Sequence, residues 1–385
     1  MWNFDIGISG LDAARKGLDV IGNNIANAAT EGYHRERIDL SPSFSIQQGS
    51  FQIGGGVDVQ GVSRIIDSML EKELLSQQAL QGQITQEYST LAMVEGAFGE
   101  LTAGTGLNAS IDRFFGAMGD LSAHPNEVIW QDQALSAAQG LAGQFRMLSE
   151  SLNSIESQIR LEVDNTLEQV NTLAGQIAEL NGSIQRIELS GARANNLRDE
   201  RDQLISRLTD LIGVQTQQRD YGIVDVNVGG IPIVTGTSTI ELEVGLDENG
   251  QLGITPADSF AYETTVQGGR LSGLLALKNT IIGGIHDDLD RLAAAIIQQI
   301  NQLHVQGVGQ AGSFTELTGR MVTSTTLSNI ENVTDGAIYL RVTDTDTGQV
   351  SRHEIDVDTS SDTLETIATR ISTVTGLSAS VGDSK

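Results

Sequence analysis

A chain of 385 residues carries 50 Asp and Glu against 23 Lys and Arg, a formal charge of −27, which argues against a nucleic-acid binder or a protein docked on anionic lipid, since both need clustered cations. Apolar residues make up 39% but aromatics only 4%, and cysteine is absent, so disulfides, thiolate nucleophiles and Cys-held zinc or iron–sulfur sites are excluded. The length predicts two or three folding units. No run of 18 apolar residues predicts a transmembrane helix, and the start Met1 to Asp5 lacks the basic region of a secretory signal peptide.

The first predicted element is an amphipathic helix. Phe4, Ile8, Leu11, Ala14, Leu18, Ile21, Ile25 and Ala28 alternate steps of four and three, the narrow seam of a helix that meets a partner helix. Asn27, Thr30 and Gly32 supply its stop, with Gly32 suited to a left-handed conformation. Residues 36–63 change to period two at Ile38, Leu40, Phe44 and Ile46, pass Gly54-Gly55-Gly56, and continue through Val57, Val59 and Val62, which reads as a hairpin-like excursion. Helical period returns over 64–115, broken by Gly96, Gly99, Gly104 and Gly106.

No proline lies between 126 and 231, so a helix can run unbroken there. Leu148, Leu152, Ile155, Ile159, Val163, Leu167, Val170, Leu173, Ile177, Leu180, Ile184 and Ile187 keep the three/four step. A helix over 140–188 would be roughly 70 Å long. Leu189-Ser190-Gly191 turns the chain, Asn196 with Asp199 reads as a capped restart, and helix 197–212 points Leu197, Leu204, Leu208 and Leu211 inward. Residues 214–256 alternate as strands (Val224, Val226, Val228; Ile231, Ile233; Ile240, Leu242, Val244), and 268–304 is again helical. The last stretch reads strand (337–342), turn at Asp346-Thr347-Gly348, strand (354–357), helix (364–374) and the start of another strand at Leu377 to Val381. A β unit that stops mid-strand is expected of a piece of a longer chain.

Chemistry-bearing patterns are scarce. His34, His124, His286, His304 and His353 show no ligand spacing, and solvated surface histidines are the expectation. Asp344, Asp346 and Gly348 lack the twelve-residue calcium frame and read as an acidic turn. There is no G-x-G-x-x-G, Walker lysine or G-x-S-x-G. The heptad stripes are the main signal: one is isolated at the terminus and the other is very long, as in a subunit that completes its core with neighbours.

Three runs, Gly10-Leu11-Asp12-Ala13-Ala14, Asn23-Asn24-Ile25-Ala26-Asn27 and Thr30-Glu31-Gly32-Tyr33-His34-Arg35, resemble the N-terminal motif of bacterial flagellar rod, hook and hook-associated proteins. Others narrow the resemblance to the hook-associated protein 1 family. They are Gly56-Val57-Asp58-Val59 with Val62 and Arg64, Leu107-Asn108-Ala109-Ser110-Ile111 with Phe114-Phe115, Leu121 to Pro125, Ser136 to Gln139, Asn196 to Leu204, and Leu289 to His304. Ile129-Trp130 departs from that pattern, which has a small residue followed by Arg, and the family's C-terminal helical segments have no counterpart here.

This resemblance implies a structural, non-enzymatic protein of the hook–filament junction on which the filament grows, without cofactor or metal. It implies a ring-like helical layer of copies and contact with the flagellar hook protein and a second junction protein next to the filament. Export would run through the type III apparatus with a chaperone and without a cleavable signal peptide, to an extracellular place on the flagellum, with no nucleic-acid or membrane partner. The assembly interface would comprise Leu11, Leu18, Ile21, Asn24, Ile25, Asn27, Thr30, Gly32, Tyr33 and Arg35. A hook, distal-rod or flagellin-like protein would share the first motif and lack the 107–125 and 196–204 patterns; a filament-borne hydrolase would need a convergent His/Asp/Glu cluster.

The expected fold is α+β and multidomain: an elongated helical bundle or coiled coil of long antiparallel helices with small β-rich domains. Its parts would be an inner-tube helix (1–35), an extended or hairpin excursion (36–63), a long-helix bundle (64–213) joined by helix 268–305, a small β-rich domain (214–267) and an incomplete β-rich outer domain (306–385).

Overall fold

A computed structural model describes residues 2–48, 51–99, 106–257, 259–306, 314–319, 322, 324–330 and 333–382. The fold is α+β, with one very long helix and several small antiparallel sheets. The chain divides into two compact units, residues 1–290 and 291–385.

In the first unit, α1 (Trp2–Ala26) is followed by β1 (Glu36–Pro42), a short hairpin of β2 (Ile46–Gln48) and β3 (Phe51–Ile53), and β4 (Val57–Arg64). β1 and β4 pair antiparallel from Glu36↔Arg64 to Pro42↔Val57, with an irregularity at Asp39/Leu40. Next comes α2 (Ser68–Phe98), whose first turn is capped because the Asp67 carboxylate accepts from the Met69 and Leu70 amides at 3.0 and 3.2 Å. Gly82 and Gly96 are absorbed within it, and it stops at Gly99, which is left-handed at φ 67°; Gly104 lies outside the described residues.

α3 (Gly106–Ala123) packs on the first part of α4 (Val128–Leu189), with Leu107, Phe114 and Ala117 buried on one helix and Ala134 and Leu141 on the other. That packing starts α4 well before residue 140. Its 62 residues span about 93 Å at 1.5 Å per residue. Leu148, Leu152, Ile155, Ile159, Val163, Leu167, Val170, Ile177 and Ile184 are buried, each contributing roughly 1.5–3 kcal/mol. Leu173 and Leu180 are half-buried instead, and Ile187 is exposed. The buried row in that stretch shifts to Ala174, Ile177, Ala178 and Asn181, in the helix that packs against α5 and the small sheets.

α5 (Asn195–Leu211) returns antiparallel to the end of α4. Its buried face is not the expected leucine row: Leu197, Leu204 and Leu211 are half-buried, whereas Asn195, Asp199, Arg201, Ile205, Leu208 and Thr209 are buried. The N-cap is Ala194 without a side-chain bond, so Asp199 is not a capping residue.

β5 (Gln215–Gln218), β6 (Val224–Val228), β7 (Ile231–Thr235) and β8 (Ser238–Thr239) form one antiparallel sheet in that order, and β9 (Leu242–Leu246) pairs with β10 (Leu252–Pro256). Asn181 of α4, fully buried, holds the sheet. Its amide donates to the Val224 and Gly236 carbonyls, both at 2.8 Å, and its oxygen accepts from the Val224 amide at 3.2 Å. The helix expected over 268–304 forms without a break but changes its winding: α6 (Gly269–Ala276) packs on α2, Leu277–Ile282 is π-helical, and α7 (Gly283–Gln306) spans the division at residue 290. Leu277 and Ile282, five apart, are both fully buried, and i→i+5 winding brings such a pair to one side.

The second unit holds the hairpin β11 (Gly336–Thr343) and β12 (Val350–Val357), in register from Gly336↔Val357 to Thr343↔Val350, and α8 (Leu364–Ser372) with a Thr363 capping box. Leu377 to Val381 is not a strand; both backbone groups of Ala379 are bonded to the Ser372 hydroxyl, which holds the segment beside the end of α8. The Asp344 carboxylate accepts from the Asp346 and Thr347 amides of its own turn. Among the described residues, no helix is long and apolar enough to cross a membrane.

Candidate assembly interface

α1 has two unlike faces. Leu11, Leu18, Ile21 and Ile25 are 74%, 67%, 53% and 73% exposed, as are Phe4 and Ile8 in large part. The face turned to β1 and β4 carries Ser9, Ala13, Gly17, Val20 and Asn24, all buried or half-buried at steps of four and three. The seam that the sequence marks for packing therefore points away from the chain's own hairpin. Close approach explains the choice: Ser9 Oγ accepts from the Val57 amide at 3.2 Å and sits where a Gly56 Cβ would be.

The helix stops at Ala26, six residues before Gly32. A ladder of amides then shapes the turn. Asn27 donates from its side chain to the Asn23 side chain at 2.8 Å, and the Thr30 amide bonds the Asn27 carbonyl at 2.9 Å. Tyr33 donates its hydroxyl to Asn24 Oδ1 at 2.9 Å, where burial, then the nearby Glu36 and Asp199 charges, raises the phenol pKa. Gly32 takes φ 73°, and the Gln203 side chain reaches over it to the Glu31 carbonyl. Arg35 is exposed, and its carbonyl accepts from the Ile65 amide at 2.8 Å. The ten expected interface residues thus separate into an exposed apolar stripe on α1 (Leu11, Leu18, Ile21 and Ile25), a set engaged largely within the chain (Asn24, Asn27, Thr30, Gly32 and Tyr33), and the exposed Arg35.

Below the turn lies a polar hub that the sequence reading missed. His34 Nδ1 is 2.8 Å from Asp199 Oδ1, its backbone amide donates to Asp199 Oδ2 at 3.3 Å, and Nε2 is 3.4 Å from Glu71 Oε1. Arg64 Nη1 donates to Asp199 at 2.5 Å and Asp202 at 2.8 Å, with the side chain 6% exposed. Arg201, 2% exposed, donates to Asp202 at 3.1 Å and to the Gly222 carbonyl. Asn195 donates to Glu36 at 2.7 Å and to the Val62 carbonyl at 2.9 Å. The Asp199 hydrogen bond, with Glu71 behind it, raises the His34 pKa against its burial. Burial would raise the Asp199 pKa, but the bonds from His34 and Arg64 outweigh it and hold the carboxyl below its usual range.

His34 is therefore not the solvated surface histidine expected. His124 stacks on Trp130 with ring centroids 5.2 Å apart, and His353 bonds Ser351. His34, Asp199 and Asp202 bring ligand-type atoms within 4.8 Å of one another, yet Arg64 already stands between the two carboxylates and supplies the positive charge that a metal would bring. Both ring nitrogens of His34 face carboxylates, which leaves neither free to activate a nucleophile. The one readable signal for this hub was the density of charge in Asp199 to Asp202, on a helix otherwise expected to pack through leucines.

Comparison with known proteins bears on the whole chain. A family model described as the flagellar hook-associated protein FlgK helical domain matches residues 91–317, more than half of the chain, and one described as the flagella basal body rod protein matches residues 4–34. The chain is 26% identical over 361 residues to flagellar hook-associated protein 1 of Escherichia coli (strain K12), covering 91% of this chain and 66% of that protein. It is 44% identical over 62 residues to flagellar hook protein FlgE of Salmonella typhimurium, 16% of this chain and 14% of that one. A solved flagellar hook junction protein FlgK from Burkholderia pseudomallei aligns over 54% of this chain and 39% of its own at 24% identity, with a TM-score of 0.46. The chain thus spans about two thirds of the length of the E. coli relative. On the strength of the match over 91–317, the chain belongs to the flagellar hook-associated protein FlgK family.

Proposed function

We propose that this chain is a structural subunit of the flagellar axis that forms the hook–filament junction and lets the filament grow on the hook. The observation that carries the reading is the outward apolar stripe of α1. Leu11, Leu18, Ile21 and Ile25 repeat at helix–helix spacing, yet they are exposed because the chain's own hairpin takes the opposite face. In an isolated soluble chain such a stripe costs free energy; between copies in a ring-like helical layer it becomes core. The segment 1–35 would line the inner tube, and the 64–213 bundle would form the body that carries the small β-rich domain 214–267. The hook protein would adjoin on one side and a second junction protein, next to the filament, on the other. Delivery would use the type III export apparatus and a chaperone, without a cleavable signal, to the outside of the cell. The role is non-catalytic.

The likeness to a hook protein supports a shared terminal segment; its extent of 62 residues is too small to favour a hook role for the whole chain. Electron microscopy of flagella from a strain lacking the gene tests the proposal. Hooks without filaments, with filament protein shed into the medium, are expected. Normal filaments, or missing hooks, would refute it.

A further inference from the structure

The hub around His34 joins the loop after α1 to α2 and α5. It lies between the segment that carries α1 and the helical body, and its six members come from four parts of the chain. Glu71 comes from α2, Asp199, Arg201 and Asp202 from α5, Arg64 from the end of β4, and His34 from the loop between α1 and β1. Glu36 on β1 is nearby, its carboxylate taken by the Asn195 and Asn23 amides. Among the described residues, the loop from Ala26 to Glu36 reaches the body through few bonds besides those of His34: Glu36 to Asn195, and Gln203 to the Glu31 carbonyl.

The charges do not balance without His34. Two carboxylates, Asp199 and Asp202, are joined to the guanidiniums of Arg64 and Arg201, and Glu71, which meets His34, adds a third carboxylate. A neutral imidazole could donate to only one of the two carboxylates it faces, whereas an imidazolium donates to both and supplies the missing positive charge. The His34 and Asp199 side chains are 18% and 10% exposed, so water screens that pair poorly, whereas Glu71 at the rim is 43% exposed and partly screened.

We infer that His34 is a protonation-gated clamp that fastens the loop after α1 to the α2/α5 body, closed when the imidazole carries its proton and loosened when it loses it. Because the native His34 pKa is raised, its contribution is fully present below the ordinary value of 6.5 and is lost as pH rises through the native value. Asp199, whose pKa is lowered, contributes above its ordinary 3.8 and is lost as pH falls through its native value. The clamp therefore holds between the two native values and opens on either side. The direction in which α1 presents its stripe would then depend on pH. This inference does not rest on the junction role, since it concerns how one chain holds its own terminal segment.

The test uses the full chain with two readouts. Imidazole carbon NMR, with His34 assigned through His34→Gln, follows the titration. Hydrogen exchange across 24–40, corrected for intrinsic rates and compared with 148–177 in α4, follows the attachment. A His34 midpoint above 6.5, lowered in Asp199→Asn, is expected. Protection of 24–40 should fall through that midpoint while 148–177 stays unchanged, and it should be flat across the same pH range in His34→Gln. Each unit by which the midpoint is raised corresponds to about a tenfold change. A midpoint at or below 6.5, protection that is flat through the midpoint, or an equal slope in His34→Gln would overturn the inference. Should His34→Gln fail to fold, Glu71→Gln at the rim must move midpoint and protection curve down together; movement of only one has the same adverse meaning.

Discussion

Asn24 and Glu36 are joined by two hydrogen bonds: the Asn24 side-chain amide donates to the Glu36 carbonyl at 2.9 Å, and the Glu36 amide donates to Asn24 Oδ1 at 2.8 Å. An asparagine on a helix here satisfies the first residue of a strand as a neighbouring strand would. The helix and hairpin are thereby set at a fixed angle by one side chain. Asn24→Ala strands both Glu36 groups and should cost about 1–3 kcal/mol locally. Exchange of amides 20–40 should speed up, with the midpoint of global unfolding little changed.

Gly32→Val places a β-branched residue at φ 73°, a cost on the order of 1–2 kcal/mol. The nearest atoms a Cβ would meet belong to the Gln203 side chain, which can swing away, so backbone conformation dominates. We expect a chain that is secreted and folds but assembles poorly. Motility assays with quantified secretion check this, and normal swimming would remove the role of this turn.

On α4, Ile177 is fully buried while Gln176 and Glu179 are exposed. Ile177→Ala should cost about 2–5 kcal/mol through lost transfer and a cavity. Alanine at Gln176 or Glu179 should cost under roughly 0.5 kcal/mol. Leu173→Ala, at a half-buried site, should fall between. Urea unfolding of the four variants ranks them.

Asn181→Ala leaves the Val224 amide and carbonyl and the Gly236 carbonyl without their partner in a dry site. A loss at the upper end of about 1–3 kcal/mol is expected. Exchange should rise first in β6, because Asn181 bonds that strand at both the amide and the carbonyl of Val224.

The long helix was legible because its core repeats: Leu148, Leu152, Ile155, Ile159 and Val163 mark one face without help from distant residues. Strand β6 was legible from period two at Val224, Val226 and Val228 in the same way. The packing face of α1 was not, because hydrophobicity ranks Leu11 and Leu18 above Ala13 and Gly17, whereas the hairpin selects for close backbone approach. The hub was invisible for another reason. His34 and Asp199 are 165 residues apart, no period links them, and the local spacing of Asn196 and Asp199 imitates a helix cap. The π-helical stretch likewise depends on what buries Leu277 and Ile282 together, which a window of sequence does not contain.

The central claim is that the α1 stripe serves other copies rather than the fold of its own chain. Leu18→Glu combined with Ile25→Glu tests it, since both side chains are exposed, at 67% and 73%, and Glu keeps good helix propensity. The purified double variant should unfold within about 0.5 kcal/mol of the parent chain. Supplied to cells that lack their own copy, it should leave hooks bare of filaments in electron micrographs although it is secreted at normal levels. Filaments of normal number and length on those hooks would contradict the account.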